Sequence, residues 1–203
     1  MAHGYTDVYG QLASVVIGRS ADNPYIRVNF MKYVAIAAIT LNGKIAKHSK
    51  HFSSWTSKED KDFLHKELDK SDVIIVGNST YKTALKPLSK RNCIVLSRAV
   101  SPSPSEGRVG ERLQYCNPQK TNIKKLIRNH HYKTIAILGG AQTYAYCLKN
   151  NMLDELYLTI EPLVFGKGIS LFDNNSSLDK KFKLVSIKRL NNKGSLLLRY
   201  KKF

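Results

Sequence analysis

Long apolar runs are missing from this chain. No stretch approaches the roughly 20 residues needed to cross a bilayer. The start also lacks the basic region followed by an apolar one that marks a secretory signal. A cytoplasmic protein with no membrane partner is therefore expected. Cysteine is scarce: Cys93, Cys116 and Cys147 are the three in 203 residues, and no CxxC occurs. That argues against a disulfide framework or a zinc site. Cys93 and Cys147 sit in apolar runs and read as buried thiols. The histidines show no HExxH spacing, so no metal is expected. GxGxxG, the Walker lysine motif and the nucleophile elbow are absent too. Acids are few, 15 against 33 Lys plus Arg, for a net charge of +18.

A field of that sign attracts anions, among them phosphorylated ligands and nucleic acid. The basic residues are spread along the chain, with no block of five in a row. Aromatic and basic residues do not interleave as they do in a single-strand groove. A nucleic-acid partner is not expected on these grounds. With 42% apolar residues and six prolines the composition is globular.

Residues 1–30 alternate weakly and read as an extension of unknown role, and residues 31–203 as one domain. Tyr33 to Ile39, Asp72 to Gly77, Asn92 to Ser97, Thr134 to Leu138 and Glu155 to Ile160 have the composition of buried strands. Leu113-Gln114-Tyr115 suggests a brief strand. Helices are predicted from Thr56 or Ser57 to about Lys70, from Ser79 to Leu85, from Thr121 to His130, and from Ala141 to Asn150. Asn42-Gly43 and Asn191-Asn192-Lys193-Gly194 are turn signals, the second joining two alternating strands. Alternating strands and helices imply an α/β fold, mostly parallel with right-handed crossovers and an antiparallel C-terminal hairpin.

Several residues have chemistry to offer. Gly139-Gly140 follows a strand and opens a helix, a setting in which backbone N–H groups meet phosphate. Gly77-Asn78-Ser79-Thr80 has the same setting. Two such openings on one parallel sheet suit an elongated phosphorylated ligand across the strand ends. Asp60 shares a helix face with Phe63 and Leu64. It is either a pocket carboxylate or a first-turn acid in a capping box, and local sequence favours the cap. Thr159 either serves a pocket or satisfies its own hydroxyl locally. Arg91 and Arg98 bracket a strand and suit a carboxylate or phosphate, or are surface charge.

In their order and spacing these pieces resemble the dihydrofolate reductase superfamily, which includes the reductase domain of riboflavin biosynthesis. The similarity runs from about Met31 to Tyr200. It rests on Ile36-Ala37-Ala38 through Asn42-Gly43-Lys44-Ile45-Ala46, Trp55 to Asp60, Gly77 to Tyr81, Pro87 to Arg98, Gly139 to Tyr144, and Asp154 to Thr159. The resemblance implies a three-layer α/β reductase. It makes Asp60 the acid that binds the pterin ring and promotes its protonation, with Thr159 as its hydrogen-bond partner. Trp55, Phe63 and Leu64 become substrate contacts, and Arg91 the grip on a glutamate tail. Ala38 and Ile45 would line a nicotinamide pocket, with Tyr144 near that ring. Gly77, Asn78, Ser79, Thr80 and Ser97 would lie beside the dinucleotide, and Gly139, Gly140, Ala141, Gln142 and Thr143 at its diphosphate.

Two departures bear on specificity. Asn78 stands where an Arg often meets the 2′-phosphate of NADPH. Arg98 can supply that charge, so NADPH is the expected cofactor and NADH stays open. Pro162 to Phe172 is closer to the riboflavin branch, yet the stretch after Thr80 lacks that branch's Asp-Asp-Pro or Asp-Asn-Pro signature, and the helix after Trp55 carries Glu59-Asp60 in place of that branch's Gly and Arg pattern. The expected activity is NADPH-dependent reduction of a pterin-like substrate, 7,8-dihydrofolate first. The alternative is a phosphorylated ribosylaminopyrimidine of riboflavin biosynthesis, and a basic nucleic-acid-binding protein is the non-enzymatic rival. The expected partner is a small heterocycle, and the assembly a monomer or homodimer.

Overall fold

Strand propensity is concentrated in runs such as Val73-Ile74-Ile75-Val76 and Thr134-Ile135-Ala136-Ile137-Leu138, and these form the centre of one sheet. The computed structural model describes residues 31–98, 112–172 and 179–203. The expected N-terminal extension and the Ser/Pro/Gly-rich loop after Arg98 lie outside the described residues. In chain order the first elements are β1 (Lys32–Thr40), β2 (Lys44–Ala46), α1 (Lys58–Asp69), β3 (Val73–Gly77), α2 (Asn78–Thr83), α3 (Leu85–Leu88), β4 (Cys93–Leu96) and β5 (Leu113–Cys116). Then come α4 (Ile123–Asn129), β6 (Thr134–Leu138), α5 (Ala141–Lys149), β7 (Glu155–Glu161), β8 (Ile169–Ser170), β9 (Phe182–Arg189) and β10 (Leu196–Lys202). A single 3-10 turn, Ser53–Trp55, precedes α1.

Eight strands make the main sheet in the order β5-β4-β3-β6-β1-β7-β10-β9, and β2 pairs with β8 separately. The first six run parallel, while β10 is antiparallel to β7 and to β9. This is the expected architecture, a mostly parallel sheet with an antiparallel C-terminal hairpin. Gly194, at φ +101°, closes the hairpin turn in the left-handed region that glycine tolerates.

Side chains alternate across the sheet and define two cores. Ala35, Ile75, Ile94 and Ile137 face α4 and α5 together with Ile127, Cys147 and Leu148. Val34, Ile74, Val76, Val95 and Ala136 face the other way, toward Leu68 of α1 and Leu88 of α3. Leu68 is 2% exposed, and burying a side chain of that size is worth about 1.5–3 kcal/mol. Cys93 and Cys147 are free and buried, as their apolar settings imply.

Three local expectations are corrected. The helix predicted from Ser79 to Leu85 is two short helices, α2 and α3, because Ala84 leaves helical geometry at φ −113° and ψ 28°. The helix predicted from Thr121 starts at Ile123, because Asn122 is its N-cap and accepts the Lys125 N–H. Lys44–Ala46, which follows the Asn42-Gly43 turn signal and is not among the predicted strands, is strand β2. Its partner β8 lies more than a hundred residues away, beyond reach of local pattern. No helix among the described residues is long and apolar enough to cross a membrane.

The topology fixes where a ligand can sit. After β3 the chain turns outward to β4, and after β6 it returns toward β7. The adjacent C-terminal ends of β3 and β6 therefore flank a topological switch point, where open parallel sheets leave a crevice.

Candidate active site

The two glycine openings meet at that switch point. The Gly77 N–H donates to the Gly139 carbonyl at 3.2 Å, and the Gly140 N–H donates to Thr80 Oγ1 at 3.2 Å. A Cβ on Gly77 would come within 2.7 Å of Thr143 Oγ1. At Gly139 and Gly140 a Cβ would meet ordinary contacts of 3.5 Å and 3.7 Å. Gly77 is thus required by the protein's own packing, whereas the other two leave space at the mouth of α5. Asn78 Oδ1 is buried there without a hydrogen-bond partner among the described residues. A buried acceptor without a donor is costly, and a ligand hydroxyl would satisfy it. Ser79 is exposed on α2.

The start of α5 is tied down on both sides. The buried Tyr144 hydroxyl donates to the Ile36 carbonyl of β1 at 2.6 Å. Burial pushes its pKa well above the usual phenol value, so it remains a donor. Arg98 Nη2 donates to Gln142 Oε1 at 3.3 Å and is otherwise exposed, placing its guanidinium beside the first turn of α5. Ser97 continues β4 by donating its N–H to the Cys116 carbonyl. The expected cofactor-side residues from β3, β4, β6 and α5 therefore come together. Ala38 lies on β1 next to this group, and Ile45 on β2.

The second half of the site is built at the start of α1. Ser57 is the N-cap, its hydroxyl accepting the Asp60 N–H at 3.3 Å. A capping box would return the Asp60 carboxylate to the Ser57 N–H. That N–H is instead taken by Glu161 Oε1 at 2.7 Å, across 104 residues of chain. The Asp60 carboxylate is therefore released from the cap, against the locally favoured reading. It is 7% exposed and faces the hydroxyls of Thr159 and Thr56. Burial raises its pKa above the ordinary Asp value. The two threonines and Lys61 pull the other way, and the Glu161 carboxylate adds to the rise. Thr159 is partnered in register with Ala38 on β1, so the acid stands beside the strand that leads to the crevice.

Trp55 precedes this helix, with its ring 5.2 Å from that of Phe165, edge to face. Its Nε1–H is buried without a partner among the described residues. Phe165 is held by Asn42, whose Nδ2–H donates to its carbonyl at 2.6 Å. Gly168 then brings the β8 strand against β2, where a Cβ would stand 2.6 Å from the Ala46 carbonyl. Lys44 Nζ donates to Ser170 Oγ at 3.1 Å across this small sheet. Phe63 packs on Tyr157 at 5.9 Å, with Arg199 over both rings. Leu64 joins the same half-buried cluster.

Arg91 is engaged elsewhere. Its guanidinium pairs with Asp69 at 2.5 Å and also donates to the Pro87 carbonyl. Asp69 ends α1, nine residues or about 14 Å along the axis from Asp60. An anionic tail reaching Arg91 would have to displace Asp69. Sequence reasoning missed Glu161, Ser195, Asn191 and Phe165. Ser195 donates to Glu161 Oε2, and Asn191 Nδ2 bridges Ser195 Oγ at 3.0 Å and Glu59 Oε2 at 3.1 Å. The advance signals were the hairpin turn for Asn191 and Ser195 and the Pro162 to Phe172 stretch for Phe165, and neither says what it touches.

The family model for dihydrofolate reductase matches residues 32–191. The Bacillus subtilis (strain 168) uncharacterized protein YwjB is 27% identical over 149 residues, 70% of this chain and 82% of that one. Among solved structures, a pyrimidine reductase-like protein from Corynebacterium diphtheriae superposes with TM-score 0.70 at 19% identity, over 87% of this chain and 93% of that one. A putative riboflavin biosynthesis protein from Shewanella sp. PV-4 gives 0.67 at 20%, over 85% and 99%. A dihydrofolate reductase from Enterococcus faecalis complexed with NADP(H) gives 0.57 at 18%, over 86% and 96%. These likenesses establish the shared fold.

Proposed function

Because this chain belongs to the dihydrofolate reductase family of nicotinamide-dependent oxidoreductases, we propose that it reduces a pyrimidine-type heterocycle with NADPH. The substrate we favour is a phosphorylated ribosylaminopyrimidine such as 5-amino-6-(5-phosphoribosylamino)uracil. The observation that carries the reading of a reductase site, whichever heterocycle fills it, is the Asp60 carboxylate, buried, released from its cap and facing Thr159 beside β1. A buried acid with no ring to meet would be costly.

The residues at the switch point fit a dinucleotide. Gly77 allows β3 and α5 to close together, Gly139 and Gly140 leave the mouth of α5 open, and Asn78 Oδ1 lacks a donor among the described residues. The cofactor would be held by Gly77 to Thr80, Ser97, Arg98 and Gly139 to Tyr144, with Ala38 and Ile45 beside the nicotinamide. When bound it supplies the hydride. Asp60 orients the acceptor ring through its N–H groups and hands on the proton that must accompany the hydride. Its raised pKa keeps a larger protonated fraction near neutrality than an exposed Asp would have. Thr159 and Thr56 hold the carboxylate in place. Trp55 and Phe165 cover the pocket from the β2–β8 side and exclude water. The protein's work is orientation and charge placement.

The aminopyrimidine replaces dihydrofolate as the favoured substrate for two reasons. The structural neighbours named for riboflavin biosynthesis and pyrimidine reduction superpose better than the folate enzyme. Arg91, expected to grip a glutamate tail, is paired with Asp69. Lys44, Lys47, Lys50 and Ser170 on and near β2–β8 offer donors for a sugar phosphate instead. Dihydrofolate remains the second reading, because the Asp60–Thr159 pairing is the one that the resemblance assigns to a pterin ring. Measuring kcat/KM with each substrate and NADPH decides between them. The aminopyrimidine should be the faster. Faster dihydrofolate would install the second reading, and reduction of neither would overturn both.

A further inference from the structure

We propose that Glu161 is a positioning residue of this site: by taking the Ser57 N–H it keeps the Asp60 carboxylate out of the capping box and turned toward Thr159. The inference rests on the reading of Asp60 as the ring-binding acid and extends it to a group that touches neither substrate nor cofactor.

The geometry is specific. Asp60 is the third residue of α1 after the Ser57 cap, the position from which an acid ordinarily reaches back to the cap N–H. Its backbone half of that box is intact, since the Asp60 N–H reaches Ser57 Oγ at 3.3 Å. The other half is usurped by Glu161 Oε1 at 2.7 Å. Glu161 is 3% exposed, and its second oxygen accepts the Ser195 hydroxyl. Ser195 in turn accepts from Asn191, which also holds Glu59. The β9–β10 turn thus clamps the start of α1 through one buried carboxylate. Thr159 and Glu161 are two residues apart on β7 and share a face of the strand. One strand therefore carries both the partner of Asp60 and the group that frees Asp60 to meet it.

A second consequence follows from charge. The groups facing Asp60 are Glu161 from β7, Lys61 from its own helix and Tyr144 from α5, besides the neutral Thr56 and Thr159. Tyr144 stays protonated and Lys61 favours the ionised acid, so Glu161 is the facing group whose charge opposes ionisation. A neutral isostere at 161 would preserve the cap contact and remove that opposition.

The test uses the full chain and two variants. In Glu161→Gln the amide oxygen still accepts the Ser57 N–H, and the amide N–H can meet Ser195 Oγ. In Glu161→Ala the cap N–H is orphaned and Asp60 is free to fall back onto it. The titration of Asp60 is followed without ligand by the 13C shift of its carboxyl carbon, assigned with Asp60→Asn. Turnover is followed as a function of pH with whichever heterocycle proves to be the substrate. Glu161→Gln should move the Asp60 midpoint and the matching limb of the kcat profile to lower pH, with cofactor Kd unchanged. Glu161→Ala should lower kcat by roughly 10-fold to 10²-fold, the cost of a misplaced group, and Glu161→Gln should restore most of it at the shifted optimum. Should Glu161→Ala fail to fold, Glu161→Leu, which fills the space and also removes the acceptor, takes its place. An Asp60 midpoint and kcat profile in Glu161→Ala that match wild type would overturn the proposal and leave Glu161 a purely structural clamp, whereas a match in Glu161→Gln would overturn only the charge effect. Because the carboxyl titration needs no substrate, it separates failure of this inference from failure of the proposed activity.

Discussion

Thr143 Oγ1 lies 2.7 Å from the point where a Cβ on Gly77 would stand. The end of β3 and the first turn of α5 approach too closely here for any side chain on Gly77, and the Gly77 N–H to Gly139 carbonyl bond joins the two sides of the switch point. Gly77 and Thr143 are local in sequence to their own strand–helix junctions, yet 66 positions separate them, the difference of their numbers.

Gly77→Ala should therefore destabilise the fold by about 1–3 kcal/mol, the usual cost of overpacking. It should also weaken NADPH binding by pushing the two openings apart. Thr143→Ala removes the obstructing hydroxyl, so the double variant should be more stable than the sum of the single effects. Urea melts of the four proteins check this. Additive losses would show that the two residues do not press on one another.

Arg91→Ala should change stability by at most about 1 kcal/mol, since its partner Asp69 is largely exposed. It should change kcat/KM for the aminopyrimidine less than twofold. A loss of tenfold or more confined to KM for dihydrofolate would show that Arg91 leaves Asp69 to bind an anionic tail, and would support the folate reading.

Arg98→Ala should lower NADPH affinity at least tenfold, about 1.4 kcal/mol, and leave NADH affinity nearly unchanged. Arg98 is exposed beside Gln142 at the start of α5, where a 2′-phosphate would gain a charge-assisted contact. Titrating both dinucleotides into both proteins measures it. An unchanged preference would move the discrimination to the basic residues beyond Arg98.

Asp60 should cost the fold stability at neutral pH. Its native pKa is raised, so between the unfolded and native values the native state holds more protons than the unfolded one. Stability contributed by that proton is present below the unfolded value, about 3.9, and is lost as pH rises through the native one. Asp60→Asn should melt above wild type at pH 7, and the gap should narrow as pH falls toward 4. Thermal melts across pH provide the check. A gap that widens on acidification would reverse the sign of the shift.

The legible parts of this molecule are those governed by near neighbours. The period-2 runs of β9 and β10, the apolar runs of β3 and β6, and the Asn-rich turn with Gly194 all announce themselves within ten residues. Ser57 as a cap with an acid three positions on was legible too, but the same rule gave Asp60 the wrong partner. The Ser57 N–H belongs to Glu161, and only tertiary packing puts Glu161 there. Arg91 failed to declare itself for the same reason: the Asp69 that neutralises it is brought over by the packing of α1 against the sheet. β2 and β8 hold only three and two residues, too few to show a period.

The proposed activity turns on the buried Asp60 carboxylate as the acid of a nicotinamide-dependent reductase site. Its most direct test is stopped-flow oxidation of NADPH by wild type and Asp60→Asn, with the aminopyrimidine at saturation and the NADPH Kd measured in parallel. The expected result is a folded variant with NADPH affinity within about twofold of wild type and turnover reduced by roughly 10²-fold or more, the scale of a lost general acid. An Asn variant that turns over at the wild-type rate across pH would contradict it and return Asp60 to a structural role at the start of α1.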